Sequence, residues 1–165
     1  MVGFWLMFPL YILALHLHRR SNMQFDTTGL EGYITDRDIE GKEGVWLKFP
    51  GGREFLVLRA GGSNSAFSRR FQQLIKPHRK QIDRGTLDPR VSDDLMRQAY
   101  CETVVKDWRG ITDPMKTPIP WSKEAGMAFF AAFPELFAEI VELASSYTTF
   151  QHAEVEEAKE VLGEA

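Results

Sequence analysis

Tyr100-Cys101-Glu102-Thr103-Val104-Val105-Lys106-Asp107-Trp108-Arg109-Gly110-Ile111-Thr112-Asp113-Pro114-Met115-Lys116-Thr117-Pro118-Ile119-Pro120-Trp121-Ser122-Lys123-Glu124-Ala125 opens the stretch on which the fold turns. It reads as the end of one helix, a proline-rich connector with two tryptophans, and then, out to Tyr147, two apolar helices. Gly110, Pro114, Pro118 and Pro120 argue against regular structure across Lys106 to Trp121. Trp108, Ile111, Ile119 and Trp121 are expected to pin this loop to the core, with a binding platform as the sharper alternative. Asp107 and Asp113 resemble a carboxylate pair, but at a turn and a helix end Asp more often accepts local backbone hydrogen bonds.

Downstream, Ser122 has the side chain of an N-cap and Glu124 favours the first turn of the helix it opens. Ala125, Ala128, Phe129 and Ala132 share the expected buried side. Pro134 breaks that helix and opens the next at its favoured first position. There Leu136, Phe137, Ile140, Val141, Leu143, Ala144 and Tyr147 cover more than a narrow stripe, and Phe130 and Phe133 add bulk. The surplus calls for a second contact: the upstream hairpin, another subunit or a hydrophobic client. After a break over residues 145–151, residues 152–162 fit a last acidic helix.

Upstream, Val45 to Phe49 and Glu54 to Arg59 are rich in β-branched and aromatic residues and flank Pro50-Gly51-Gly52-Arg53, the signature of a hairpin. Val45, Leu47 and Phe49 share one face, with Lys48 on the other. A lone hairpin is marginal in water, so this one packs on the helices or pairs with a second chain, and the 45–59 segment is a candidate for self-association. A further short strand is expected around residues 32–35. A helix begins at Ser65, with Phe67, Phe71, Leu74 and Ile75 on one side, and is ended or kinked by Pro77. Another begins at Ser92 and buries Met96, Tyr100, Thr103 and Val104, widened by Leu95, Ala99 and Val105. The expected class is α+β, mainly α: an N-terminal β-hairpin or small antiparallel sheet, then a bundle of about four to five helices.

The 165 residues carry 20 Lys and Arg against 23 Asp and Glu, and this balance lacks the basic excess of a nucleic-acid protein. Seven basic residues against two acidic ones lie between Ala66 and Arg90, while from Glu135 to Ala165 eight glutamates face Lys159 alone. These two regions either attract one another or form separate solvated faces. Cys101 is the only cysteine, which excludes an intramolecular disulfide and fits a reducing compartment. Nothing near it in sequence offers a base, so it reads as a small core residue.

Residues 1–22 differ from the rest: an apolar run interrupted by Pro9 and closed by His16, His18, Arg19 and Arg20. Three readings fit: a short membrane anchor, a hydrophobic arm, or an upstream extension to a natural start at Met23. The chain then divides into the 1–22 extension, a β-rich region 23–64 and a helical region 65–165, best taken as one compact domain over 23–162.

No glycine-rich phosphate loop, nucleophile elbow or histidine–acid ligand spacing occurs, so no catalytic, cofactor or metal site is expected and the protein is read as non-enzymatic. Val104 to Asp113, then Pro118-Ile119-Pro120-Trp121-Ser122-Lys123-Glu124-Ala125, together with Glu43 to Leu47 and Phe55 to Asn64, resemble the tail assembly chaperones of long-tailed bacteriophages. The likeness spans about Tyr33 to Val161. It departs at Pro114-Met115-Lys116, where such proteins often have an Asp-Gly turn. The resemblance implies a host-cytoplasmic protein, absent from the mature virion. It would bind and solubilise the tape-measure protein and help recruit tail tube subunits, with no cofactor. Trp108, Trp121, Phe129, Phe130, Phe133 and Phe137 are then the candidate partner-binding residues, although a plain core would use the same ones. A structural tail or head–tail connector subunit is the alternative, and a small membrane-anchored protein a further one if residues 1–20 are made.

Overall fold

The computed structural model describes Thr28, Gly29, Tyr33 and residues 35–151. The apolar stretch 1–22, two of the four residues of the strand expected at 32–35 and the acidic helix at 152–162 lie outside the described residues; the other two, Tyr33 and Thr35, belong to no strand. The chain divides into two units, Met1–Glu31 and Gly32–Ala165, and the second holds every strand and helix named below.

A π-helical turn, Ile39–Glu43, leads into the hairpin of β1, Val45–Phe49, and β2, Arg53–Val57. Val45 pairs with Val57, Leu47 with Phe55 and Phe49 with Arg53, so Leu47, Phe49, Phe55 and Val57 all point into the core. Helix α1, Ser65–Ile75, comes next, then a 3-10 turn, Lys76–His78, around Pro77 and a short α2, Arg79–Asp83. Helix α3 is Pro89–Thr103, strand β3 Val105–Arg109, helix α4 Lys123–Ala132 and helix α5 Pro134–Ser145. The sheet is antiparallel in the order β1-β2-β3, and the architecture is α+β, mainly α.

Three sequence expectations change. The connector is not free of regular structure: its first residues belong to β3, paired with β2, and Thr112 bridges Pro118. The sequence hides this strand because the register shifts between Leu56 and Val57: Leu56 pairs with Asp107 and Val57 with Val105, which leaves Lys106 extra. This bulge puts Val105 and Trp108, three residues apart, on the same buried side, a spacing that mimics a helix. Helix α3 starts at Pro89, not after Ser92, because the Asp88 carboxylate accepts from the Arg90 N–H (2.8 Å) and Pro89 has its ring at a permitted first-turn position. The break expected over 145–151 narrows to Ser146, with helix resuming over 147–151 and Phe150 fully buried.

The remaining helix starts agree with their caps. Asn64 Oδ1 accepts from the Phe67 N–H to open α1 (3.4 Å), and Ser122 Oγ accepts from the Ala125 N–H to open α4 (3.1 Å). Pro134 opens α5. On α4, however, Gly126 and Phe130 are the buried pair while Ala128 and Ala132 face solvent.

Phe55 has no exposed surface and lies at the centre of the core. Phe49, Trp108, Phe129 and Phe130 surround it with ring centroids 5.5 to 6.3 Å away. Each such pair adds about 0.5–1.5 kcal/mol beyond simple burial. Tyr100, Val104, Ile140, Ala144 and Phe150 extend the core through α3 and α5.

Candidate functional site

All six aromatics expected from the sequence to meet a partner join one connected cluster, but they do not form one surface. Trp108 stands edge-on to Trp121 at 4.9 Å and to Phe129 at 5.3 Å; Phe129 meets Phe133 at 4.8 Å, and Phe130 meets Phe137 at 5.1 Å. Trp108, Phe130 and Phe137 are buried, Trp121 and Phe129 are half-buried, and Phe133 alone of the six is open to solvent, at 52%. Phe130, with no exposed surface, belongs to the core and reaches no partner unless the fold opens.

Trp108 locks the connector, donating from Nε1 to the Ile119 carbonyl (2.7 Å). The Ile119 N–H donates to the Ile111 carbonyl (2.9 Å), closing a loop in which Asp113 Oδ1 accepts from the Thr117 N–H (2.8 Å). Asp107 likewise accepts from the Trp108 N–H (2.8 Å), so both aspartates serve local backbone rather than each other. Lys116 supplies the left-handed residue of this turn, with φ 65°. Gly110 is required where the connector crosses the hairpin turn, because a Cβ there would lie 2.1 Å from the Gly52 carbonyl oxygen. Gly126 lets the Trp121 ring lie on α4, since a Cβ would come within 2.5 Å of that ring. The result is a groove of about 430 Å³ lined by Trp108, Arg109, Ile111, Ile119 and Trp121.

A second groove, of about 460 Å³, lies among α1, α2 and α3, lined by Phe71, Ile75, Ile82, Leu87, Pro89 and Leu95. It adjoins the apolar stripe of α1, a helix with no buried residue at all. Phe67 leans on Tyr100 (5.4 Å, edge-on), but Phe71, Leu74 and Ile75 remain only half covered and Ile82 is 41% exposed. Exposed Arg79, Lys80 and Arg84 stand on and beside α2 with Asp83, and exposed Asp93 and Asp94 lie in the early part of α3. A sign of this surface is present in the sequence: apolar residues persist past Pro77, at Ile82 and Leu87, in excess of what one helix contact needs.

Two carboxylates hold the scaffold, Glu40 buried and Glu102 half-buried, and no local motif marks either in the sequence. Glu40, 2% exposed, pairs with Arg59 and accepts from the Ser63 hydroxyl (2.6 Å) and N–H (3.1 Å). Burial alone would raise its carboxyl, but Ser63, Thr35 and Arg59 outweigh that and hold its pKa at about 2. Glu102 on α3 joins α1 through Arg70 and α4 through Lys123 (2.5 Å). Arg70 foremost, then Lys123 and Gln98, likewise hold Glu102 at about 2 against burial. Burial pushes the Cys101 thiol up to about 12, which keeps it protonated and unreactive at neutral pH. Among the described residues no group of His, Cys, Asp and Glu gathers where it would hold a metal ion, and no helix is long and apolar enough to cross a membrane.

No curated protein and no solved structure matches the chain. Residues 62–161, more than half of its length, match a family model, and they include all three helices of the α1–α3 groove, the connector and the paired helices α4 and α5. The chain belongs to the YdaY prophage protein family and is thus a phage-related protein.

Proposed function

We propose that the protein is a tail assembly chaperone that binds an amphipathic helical segment of the tape-measure protein in the α1–α3 groove. It thereby keeps that long apolar-striped chain soluble in the host cytoplasm until tube subunits, which it helps recruit, replace it. The observation that carries the reading is α1: an eleven-residue amphipathic helix whose apolar stripe ends in an open groove instead of the core. Membership of a prophage family and the chaperone-like connector support it. A helical client laying its apolar face into a groove is a common recognition mode. Phe133, with Phe129 and Trp121 behind it, is a secondary contact on the connector face.

The test is co-expression of the full chain with the tape-measure protein of the same prophage, scoring how much tape-measure protein stays soluble and co-purifies. Wild type is expected to keep it in solution, and Phe71→Glu with Ile82→Glu to return it to the pellet while the variant stays folded. A partner that remains insoluble beside a wild-type chain assembling into rings on its own supports a structural tail or connector subunit instead.

A further inference from the structure

We infer that the free edge of β1 pairs antiparallel with β1 of a second copy about a two-fold axis at Leu47, joining two three-stranded sheets into one of six strands. Strand β1 is an edge: β2 lies on one side and no other described strand on the other. Edge strands are ordinarily blunted by proline, a bulge, brevity or charge. The irregularity of this sheet lies between β2 and β3, β1 is regular along all five residues, and Lys48 is its one charge.

The chemistry of the strand is self-complementary. Pairing about Leu47 sets Leu47 against Leu47 of the second copy, Val45 against Phe49, and Trp46 against Lys48. The first two pairs extend the apolar side, on which Leu47 and Phe49 are already buried and Val45 half-buried. The third acts on the outer side. Trp46 is half-buried and already accepts one cation, the Arg109 guanidinium 3.8 Å from its ring centroid. The second copy's Lys48, exposed in the single chain, then adds a second. The charge that blunts the edge against strangers therefore becomes a matched contact in this one register. The pairing leaves the α1–α3 groove uninvolved, so it stands or falls independently of client binding.

Sedimentation equilibrium of the full chain across a concentration series tests it. The expected result is a mass rising to twice that of one chain. Trp46→Lys, which sets two lysine pairs against each other, is expected to hold the mass at one chain, and adding Lys48→Glu to restore the dimer. Because Trp46→Lys also loses the Arg109 contact and risks the fold, a nitroxide on Pro50→Cys, exposed just beyond the paired strand, gives a separate reading. Pairing about Leu47 sets the two labels six residues apart along the strands, about 20 Å at about 3.4 Å per residue, so pulsed dipolar spectroscopy shows that distance as dimer forms. A chain that stays monomeric throughout, a dimer indifferent to Trp46→Lys, or a dimer without that distance overturns the inference.

Discussion

Single residues carry distinct physical burdens here, and two pairs isolate them. Gly52 and Gly110 share a φ of +71°, but a Cβ on Gly52 meets open space while one on Gly110 strikes the Gly52 carbonyl. Gly52→Ala is therefore expected to cost about 1 kcal/mol, the left-handed penalty alone, and Gly110→Ala at least twice that, as measured by urea unfolding. Phe130→Ala is expected to cost about 3–5 kcal/mol and Phe133→Ala below about 1 kcal/mol, because the first empties a fully enclosed site and the second only trims an exposed ring. Near-equal losses would contradict the placement of these two rings. The sequence is least legible at this scale. Glu40 finds Ser63 across 23 residues, and Asn64 donates to the Thr103 carbonyl across 39. Local pattern has no access to such pairs, and it marks an aromatic as apolar without saying whether it ends in the core or at the rim.

Elements are far more legible where a cap or turn defines them. The hairpin and the starts of α1, α4 and α5 can be read from Pro50-Gly51-Gly52, Asn64-Ser65, Ser122 and Pro134. Strand β3 is hidden because one bulged residue shifts its alternation out of phase, and the true start of α3 is masked because Asp88-Pro89 looks like a turn when it is a cap and a first-turn proline. The apolar excess is visible in the sequence on α4 and α5, yet the core largely absorbs their large residues, and the uncovered stripe is on α1. With no buried residue in α1 or α2, amide exchange there is expected to proceed by local opening, faster than in α3, which buries Ala99, Tyr100, Cys101 and Thr103. Bound client is expected to slow exchange in α1 and α2 selectively, and equal protection of α1 and α3 in the free protein would count against an uncovered α1.

For the molecule as a whole, Glu40 and Glu102 join elements distant in sequence, and their ionisation sets the acid limit of stability. Both carboxyls lie at about 2 in the fold against an ordinary 4.5, so the unfolded chain takes up protons first as pH falls. Their stabilisation is complete above about pH 4.5 and is lost between 4.5 and about 2, worth about 1–2 kcal/mol each after solvent screening. Denaturant midpoints measured from pH 7 to pH 2 are expected to fall in that window, and Glu40→Gln to lower stability at pH 7 by about 2 kcal/mol while flattening the decline. A decline of the same steepness in Glu40→Gln would mean that Glu40 does not set the acid limit. The central claim, a prophage protein that covers an apolar helix of its client, is tested most directly by titrating the purified chain against labelled tape-measure segments and following fluorescence anisotropy. Saturable binding to amphipathic segments, weakened at least tenfold by Phe71→Glu and far less by Phe133→Glu at the secondary contact, is the predicted result. No saturable binding by the folded wild-type chain, or binding indifferent to Phe71→Glu, would contradict it.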